Sequence, residues 1–153
     1  MKWKTLAAVL AAGLVLAACS KSSSSTDAAA PVAPADTGTA KTLTIDGKQA
    51  NDHGTATVAA DGSVEIEADT DGGQQYFSPT VITGQPGQKV TVELKNESSS
   101  VAHNFSIEDQ NINIDLDPEA AQTVTVTLPD SGTVTFFCEY HESSGMLGEF
   151  TVG

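Results

Sequence analysis

The sequence has no arginine, few aromatic residues and little sulfur. Its 7 basic residues are all lysines, against 20 acidic residues, so the formal net charge is −13. Nucleic acid is therefore excluded as a partner, because neutralising phosphates requires a basic face. The 3 histidines and 2 cysteines also exclude sites that need several of these residues around more than one metal ion. The sequence contains no internal repeat and no long helical period, which argues against a helical fold.

The longest apolar run lies near the amino terminus and is short. It covers residues 6–18 after Lys2 and Lys4, and it is too short to span a bilayer comfortably as a permanent helix. It ends in the sequence Leu-Ala-Ala-Cys19, which resembles a bacterial lipobox. The resemblance implies cleavage before Cys19 and attachment of lipid to its sulfur, with more than one acyl chain for stable anchoring. An ordinary signal peptide or a single anchor helix is the alternative.

Composition divides the chain into parts. Ser, Ala, Pro and Thr dominate the segment after Cys19, which cannot bury enough apolar surface to become ordered. We predict a flexible, lipidated tether that holds an extracytoplasmic domain at a bacterial membrane, on the periplasmic face or at the cell surface. The predicted parts are a signal peptide (1–18), the lipidated linker (19–40), an N-terminal β extension (41–75) and the core with the functional site (76–153).

Alternating apolar residues indicate an all-β domain. The pattern is clearest in Lys89–Lys95 and Gln122–Leu128, and Gly-, Pro- and Asp-rich turns separate the candidate strands. Short strands at regular spacing favour an antiparallel β-sandwich. In the region Asp46–Asp71 we expect either an added hairpin or a poorly ordered extension. The other candidate strands are Leu43–Ile45, Ala56–Val58, Ser63–Glu67, Tyr76–Ile82, His103–Ile107, Thr133–Cys138 and Leu147–Val152.

Chemistry-bearing side chains gather around the second cysteine. With Cys19 assigned to lipid, Cys138 has no disulfide partner in an oxidising compartment. It ends a β-rich run, and His141 and Met146 follow it in a short polar loop. With His103, which begins another predicted strand, they form a soft nitrogen-and-sulfur set. Such a set is typical of a blue-copper centre, in which two histidines and a cysteine lie in a plane and a methionine binds weakly at the axial position.

Other interpretations of these residues remain. Cys138 is also compatible with a buried apolar thiol, and Met146 with a residue that fills a gap in the core. A structural zinc site usually has more thiolates or histidines, and methionine is a poor zinc ligand. A binuclear copper centre needs a second nearby cysteine, which the sequence lacks. The third histidine, His53, is expected in a surface turn.

Four segments resemble the type 1 copper cupredoxins, with the ligand-loop spacing of plastocyanins and pseudoazurins. Phe77-Ser78-Pro79 resembles the aromatic-x-Pro entry strand of the family, and the segment 86–96 resembles its Pro-Gly strand that ends in Asn. His103-Asn104-Phe105 is similar to the motif of the first ligand. The segment 132–146 is similar to the ligand loop. Two departures are Tyr140, where many relatives carry proline, and Val134, where an aromatic residue is common.

The resemblance implies a cupredoxin-like Greek-key β-sandwich with one type 1 copper ion. It also implies a role for Asn104, whose position supports the cysteine sulfur and ties the two ligand segments together. The ligands that it implies are His103, Cys138, His141 and Met146.

The expected function is that of a membrane-anchored blue-copper electron carrier that cycles between Cu(I) and Cu(II). Its partners would be redox proteins such as a c-type cytochrome or a membrane oxidoreductase, which would dock near Glu139, Tyr140 and Glu142. An enzyme is not expected, because copper enzymes of related fold add a second copper centre built from several more histidines. The alternatives are a lipoprotein for copper storage, sensing or delivery, and a metal-free adhesive sandwich. With only 2 methionines, exposed clusters suited to copper delivery are absent from the sequence.

Overall fold

A computed structural model describes residues 41–153 of the chain. This part is built from β-strands and two 3₁₀ turns and contains no α-helix. The 3₁₀ turns are Glu108–Gln110 and Glu142–Ser144. The strands are β1 (Lys41–Ile45), β2 (Lys48–Asp52), β3 (Thr55–Thr57), β4 (Ser63–Asp71), β5 (Gln74–Ser78), β6 (Val81–Gly84), β7 (Lys89–Asn96), β8 (His103–Ile107), β9 (Ile112–Leu116), β10 (Ala121–Thr127), β11 (Thr133–Phe137) and β12 (Leu147–Val152).

Two large sheets and one small hairpin make up the fold. One sheet has 4 strands in the order β10-β7-β4-β5, and the other has 6 in the order β3-β6-β12-β11-β8-β9. The strands β1 and β2 form a separate two-stranded sheet. The predicted all-β sandwich is therefore confirmed. Among the described strands, β4 with β7, β6 with β12 and β3 with β6 pair in parallel, so the sheets are mixed rather than purely antiparallel.

The core lies between the two large sheets. Along β7 the residues alternate strictly between exposed and buried, so Val90, Val92 and Leu94 face inward as the sequence pattern predicts. Aromatic rings from both sheets meet at the centre of the core and pack mainly edge-on or tilted, with ring centroids 5.2–5.9 Å apart. These rings, all fully buried, belong to Phe77, Phe105, Phe136 and Phe150.

The predicted strand Tyr76–Ile82 is wrong as a single element. The structure ends β5 at Ser78 and begins β6 at Val81, and the two strands belong to different sheets. Pro79 lies at the crossing, where its missing N–H prevents a continuous ladder; the Ser78–Pro79 peptide bond is cis. The strands β2 and β9 were not predicted. The expectation for Asp46–Asp71, an added hairpin or a poorly ordered extension, holds only for its start. There β2 forms a hairpin with β1, whereas β3 and β4 are strands of the two large sheets.

The predicted signal peptide, Cys19 and the linker lie outside the described residues. Among residues 41–153, no helix is long and apolar enough to cross a membrane.

Candidate metal centre

Three of the predicted ligands come together at one end of the sandwich. One potential ligand atom each from His103, Cys138 and His141 lies within 4.8 Å of the other two. His103 is the first residue of β8, and Cys138 directly follows β11. These strands are neighbours in the six-stranded sheet, which explains how residues far apart in sequence meet.

The loop that follows Cys138 is closed by its own backbone. The amide of Cys138 donates to the carbonyl of Met146 at 3.0 Å, and the amide of Met146 donates to the carbonyl of His141 at 3.2 Å. The amide of His141 in turn donates to the carbonyl of Cys138 at 3.0 Å. These bonds bring Met146, which is fully buried, beside the three donors, so the four predicted ligands lie near one another.

The His103 ring has the arrangement expected of a ligand. The residue is fully buried, and its Nε2 lies 3.3 Å from the hydroxyl of Thr70. Its Nδ1 is buried without a hydrogen-bond partner, and a buried polar atom rarely stays unpaired unless something else satisfies it. Burial, helped by His141, lowers the pKa of His103 to about 4. The ring is therefore neutral at pH 7, the form that binds metals.

The sulfur of Cys138 is buried and partly supported. The backbone amide of Asn104 donates to Sγ at 3.2 Å, and Nδ1 of His141 lies 3.5 Å from Sγ. Burial raises the pKa of the Cys138 thiol. Without a metal the sulfur therefore keeps its proton at pH 7, and metal binding would release it. Burial also lowers the pKa of His141. Two neutral imidazoles, a thiol and a thioether suit a copper ion, so the residues present fit the cofactor.

The side chain of Asn104 joins three segments around the cysteine. Its Nδ2 donates to Asn113 at 2.8 Å and to Asp115 at 3.2 Å. Its Oδ1 accepts the hydroxyl of Ser106 at 2.6 Å and the amide of Glu139 at 3.5 Å. Asn104, the neighbour of His103, is thus tied to Glu139, the neighbour of Cys138; its role at a copper site stays a prediction.

The predicted partner-surface residues are engaged in contacts within the molecule. Tyr140 is 52% exposed, and its hydroxyl donates to Oδ1 of Asp115 at 2.5 Å, which raises the pKa of Tyr140 to about 12. Glu139 accepts a hydrogen bond from Asn113 at 2.7 Å. Glu142 pairs with Lys48 of β2 at 2.6 Å. A lysine therefore offsets part of the acidity beside the ligand loop.

Sequence reasoning missed three residues that contact this region: Lys48, Asn51 and Thr70. All three lie in the N-terminal strands β2 and β4, more than thirty positions away from the residues that they touch. No local pattern marks them, because only the sheet topology brings them to the site.

His53 lies outside the three-donor group, and its ring stacks on that of Tyr76 with centroids 3.4 Å apart.

Comparison with known proteins agrees with this geometry. The family model described as "Cupredoxin-like domain" matches residues 8–152. Plastocyanin A/B of Petroselinum crispum is 33% identical over 98 residues, which cover 58% of this chain and 98% of that protein. Plastocyanin of Daucus carota is 30% identical over 98 residues, which cover 58% of this chain and 98% of that protein.

Solved structures show the same fold. Dithionite-reduced auracyanin of the photosynthetic bacterium Roseiflexus castenholzii is 27% identical, with a TM-score of 0.51, over 62% of this chain and 99% of that one. The metal-binding domain of the Cu(I)-exporting ATPase CopA of Streptococcus pneumoniae is 16% identical, with a TM-score of 0.52, over 66% of this chain and 97% of that one. The second likeness supports the fold alone. The grouped donors and the plastocyanin relatives make this chain a type 1 cupredoxin with one copper ion as its cofactor. The match over residues 8–152 shows that the chain belongs to the cupredoxin-like family.

Proposed function

We propose that this protein is an extracytoplasmic, membrane-anchored electron carrier in which His103, Cys138, His141 and Met146 hold the copper ion. The observation that carries the proposal is the buried, unpartnered Nδ1 of His103 in a residue grouped within 4.8 Å of Cys138 and His141. The bound copper would supply a one-electron Cu(I)/Cu(II) couple. The chain supplies the rest: it sets the donor geometry, excludes water and exposes one edge of the site.

The contacts around the ligands favour an electron carrier over copper delivery. His103 is held by Thr70 and Cys138 by the amide of Asn104, so their positions depend little on the oxidation state of an ion between them. His103, Cys138 and Met146 are all fully buried, whereas delivery of copper to another protein requires ligands that can be reached. His141 is partly exposed and would be the point at which electrons enter and leave.

The test is an absorption titration of the protein with Cu(II). We expect one equivalent to produce an intense visible thiolate-to-copper band that disappears reversibly on reduction. Cys138→Ser should abolish this band, while Ser143→Ala, a change in the same loop outside the donor set, should retain it. A Cys138→Ser variant with the full band would refute the assignment.

The lipid anchor at Cys19 is proposed on the sequence alone. Supporting it are the short apolar run and the lipobox-like residues that end at Cys19. In a bacterial host, we expect the wild type in the membrane fraction with a mass increase from acyl chains on the peptide that begins at Cys19. Cys19→Ala should lack the added mass. An unmodified Cys19 in the membrane-bound wild type would exclude lipidation.

For the partner we propose a redox protein with a basic patch, such as a c-type cytochrome or a membrane oxidoreductase. Glu139, Tyr140 and Glu142 are sequence neighbours of the partly exposed His141, and complementary charge raises association rates more than affinity. Exposed charges are screened beyond about 8 Å at physiological salt. Electron transfer to a basic partner should therefore slow as salt is added.

The Lys48–Glu142 pair supplies a matched test of this steering. Glu142→Gln removes a negative charge next to His141 and should slow association at low salt. Lys48→Gln instead removes the lysine that offsets the charge of Glu142 and should accelerate association. Stopped-flow rates measured with cytochrome c as a basic probe decide between the outcomes. Equal rates for both variants across a broad salt range would show that these acidic residues only keep the domain soluble.

A further inference from the structure

The β1–β2 hairpin packs against the ligand loop. Ile45 of β1 and Ala50 of β2 are buried, and they form a small apolar cluster with Leu147, which is also buried. Leu147 is the residue after Met146. This cluster is separate from the main core between the two large sheets. The hairpin therefore makes its apolar contacts next to the ligand loop and not with the centre of the sandwich.

Asn51 of β2 binds the loop through both its backbone and its side chain. Its amide donates to the carbonyl of Gly145 at 2.9 Å. Its side-chain Nδ2 donates to the carbonyl of Ser144 at 2.9 Å and to the carbonyl of Gln75 in β5 at 2.8 Å. Asn51 is 7% exposed, so water has little access to replace these bonds. The hairpin thus donates hydrogen bonds to the carbonyls of both residues that precede Met146.

Gly145 adds a steric limit to these hydrogen bonds. Its φ is +92°, a conformation that favours glycine, and a Cβ at this position would lie 3.0 Å from Cγ and Nδ2 of Asn51. The side chain of Asn51 therefore lies directly against the backbone of Gly145. Movement of the loop toward the hairpin is blocked, and movement away breaks the hydrogen bonds.

We propose that the β1–β2 hairpin braces the ligand loop and that Asn51 is a positioning residue for Met146. The inference rests on the proposed function, in which Met146 would hold the copper ion as its weak ligand. A weak axial ligand tunes the reduction potential through its distance and orientation, and residues around a metal site commonly set such positions. Asn51 acts through Gly145 and does not touch the donors.

The test compares three variants in the full chain. Asn51→Ala removes both hydrogen bonds that Nδ2 donates, and Asn51→Asp keeps the size of the side chain but replaces its amide nitrogen with oxygen. Gln49→Ala is the matched control: Gln49 lies in the same strand and is exposed, and among the described residues its side chain donates to Thr44 of β1.

The first readout is amide hydrogen exchange of the copper-free protein. The side-chain bond to the carbonyl of Ser144 is the one that reaches the loop, so its loss should raise exchange at Met146 by about 5-fold in both Asn51 variants. Exchange in β7 reports global unfolding and should rise much less, while Gln49→Ala should match the wild type at Met146. If exchange at Met146 is unchanged, or rises only in step with β7, the brace is refuted.

The second readout is the reduction potential of the copper-loaded protein. Both Asn51 variants should shift it from the wild-type value, and Gln49→Ala should not. An unchanged potential together with faster exchange at Met146 would overturn the positioning role. If the wild type itself fails to form the visible copper band, the proposed function fails, and the exchange measurement still decides whether the hairpin holds the loop.

Discussion

Asn104→Ala should destabilise the protein strongly while preserving its copper colour. The substitution removes the side-chain bonds to Asn113, Asp115, Ser106 and the amide of Glu139. The backbone amide that donates to Cys138 Sγ remains. Ser106 is 2% exposed, so its hydroxyl loses a partner that water cannot easily replace.

The magnitude follows from these contacts. Leaving a buried polar group unsatisfied costs about 1–3 kcal/mol, and each remaining hydrogen bond contributes about 1 kcal/mol. Because the bond to Glu139 is long and the groups at Asn113 and Asp115 are exposed to water, we expect a loss of about 2–4 kcal/mol. For a domain of this size, that loss corresponds to a fall in melting temperature of about 8–16 °C.

Thermal unfolding of the copper-free protein measures this loss. Asn113→Ala is the matched control, because Asn113 is exposed and its loss leaves the bonds of Asn104 to Ser106 and Glu139 intact; we expect less than about 1 kcal/mol. If Asn104→Ala were as stable as Asn113→Ala, the network around Asn104 would not contribute as argued. If its copper-loaded form lost the visible band, the side chain, and not only the backbone amide, would be needed at the sulfur.

Three further predictions concern the axial ligand, pH and the metal-free fold. Met146→Leu should raise the reduction potential and Met146→Gln should lower it, because an oxygen donor favours Cu(II); equal potentials by voltammetry would mean that Met146 is not axial. Burial, together with nearby carboxylates, raises the pKa of Glu67, so its ionisation opposes folding and stability is lost as pH rises through that pKa. Glu67→Gln should therefore melt higher than the wild type at pH 7, with a difference that disappears below about pH 4; a constant difference would contradict this. The metal-free protein should unfold cooperatively on heating, since its core does not depend on the ligands, and copper should raise the melting temperature by mass action; a metal-free chain without native circular dichroism would refute this.

Much of the site could be predicted because three of its four proposed ligands lie close together in the sequence. Cys138, His141 and Met146 follow one strand within a single loop, and their residue types alone indicate a soft metal. The alternation in β7 likewise identified a strand with one buried face, as observed. His103 lies in another strand, so no local spacing linked it to the loop; it was chosen as the second histidine at the start of a predicted strand, and the resemblance implied the same residue.

Other features could not be read from the sequence for physical reasons. The strand β2 has the sequence Lys-Gln-Ala-Asn-Asp, which lacks apolar alternation and is stabilised by pairing with β1 and by the bonds of Asn51 to the ligand loop. The strands β4 and β7 pair in parallel. Their alternation of apolar and polar residues fits a parallel and an antiparallel pairing equally well, so it could not predict this direction. By contrast, β9 reads Ile-Asn-Ile-Asp-Leu, and its alternation could have identified it.

The most direct measurement of the central claim is a redox titration of the copper-loaded protein followed by its visible absorption. The account predicts one copper per chain, an intense band that depends on Cys138, and a complete, reversible change with a single-electron dependence on potential. A protein that binds copper without this band, or whose band does not recover on reoxidation, would contradict its assignment as an electron carrier.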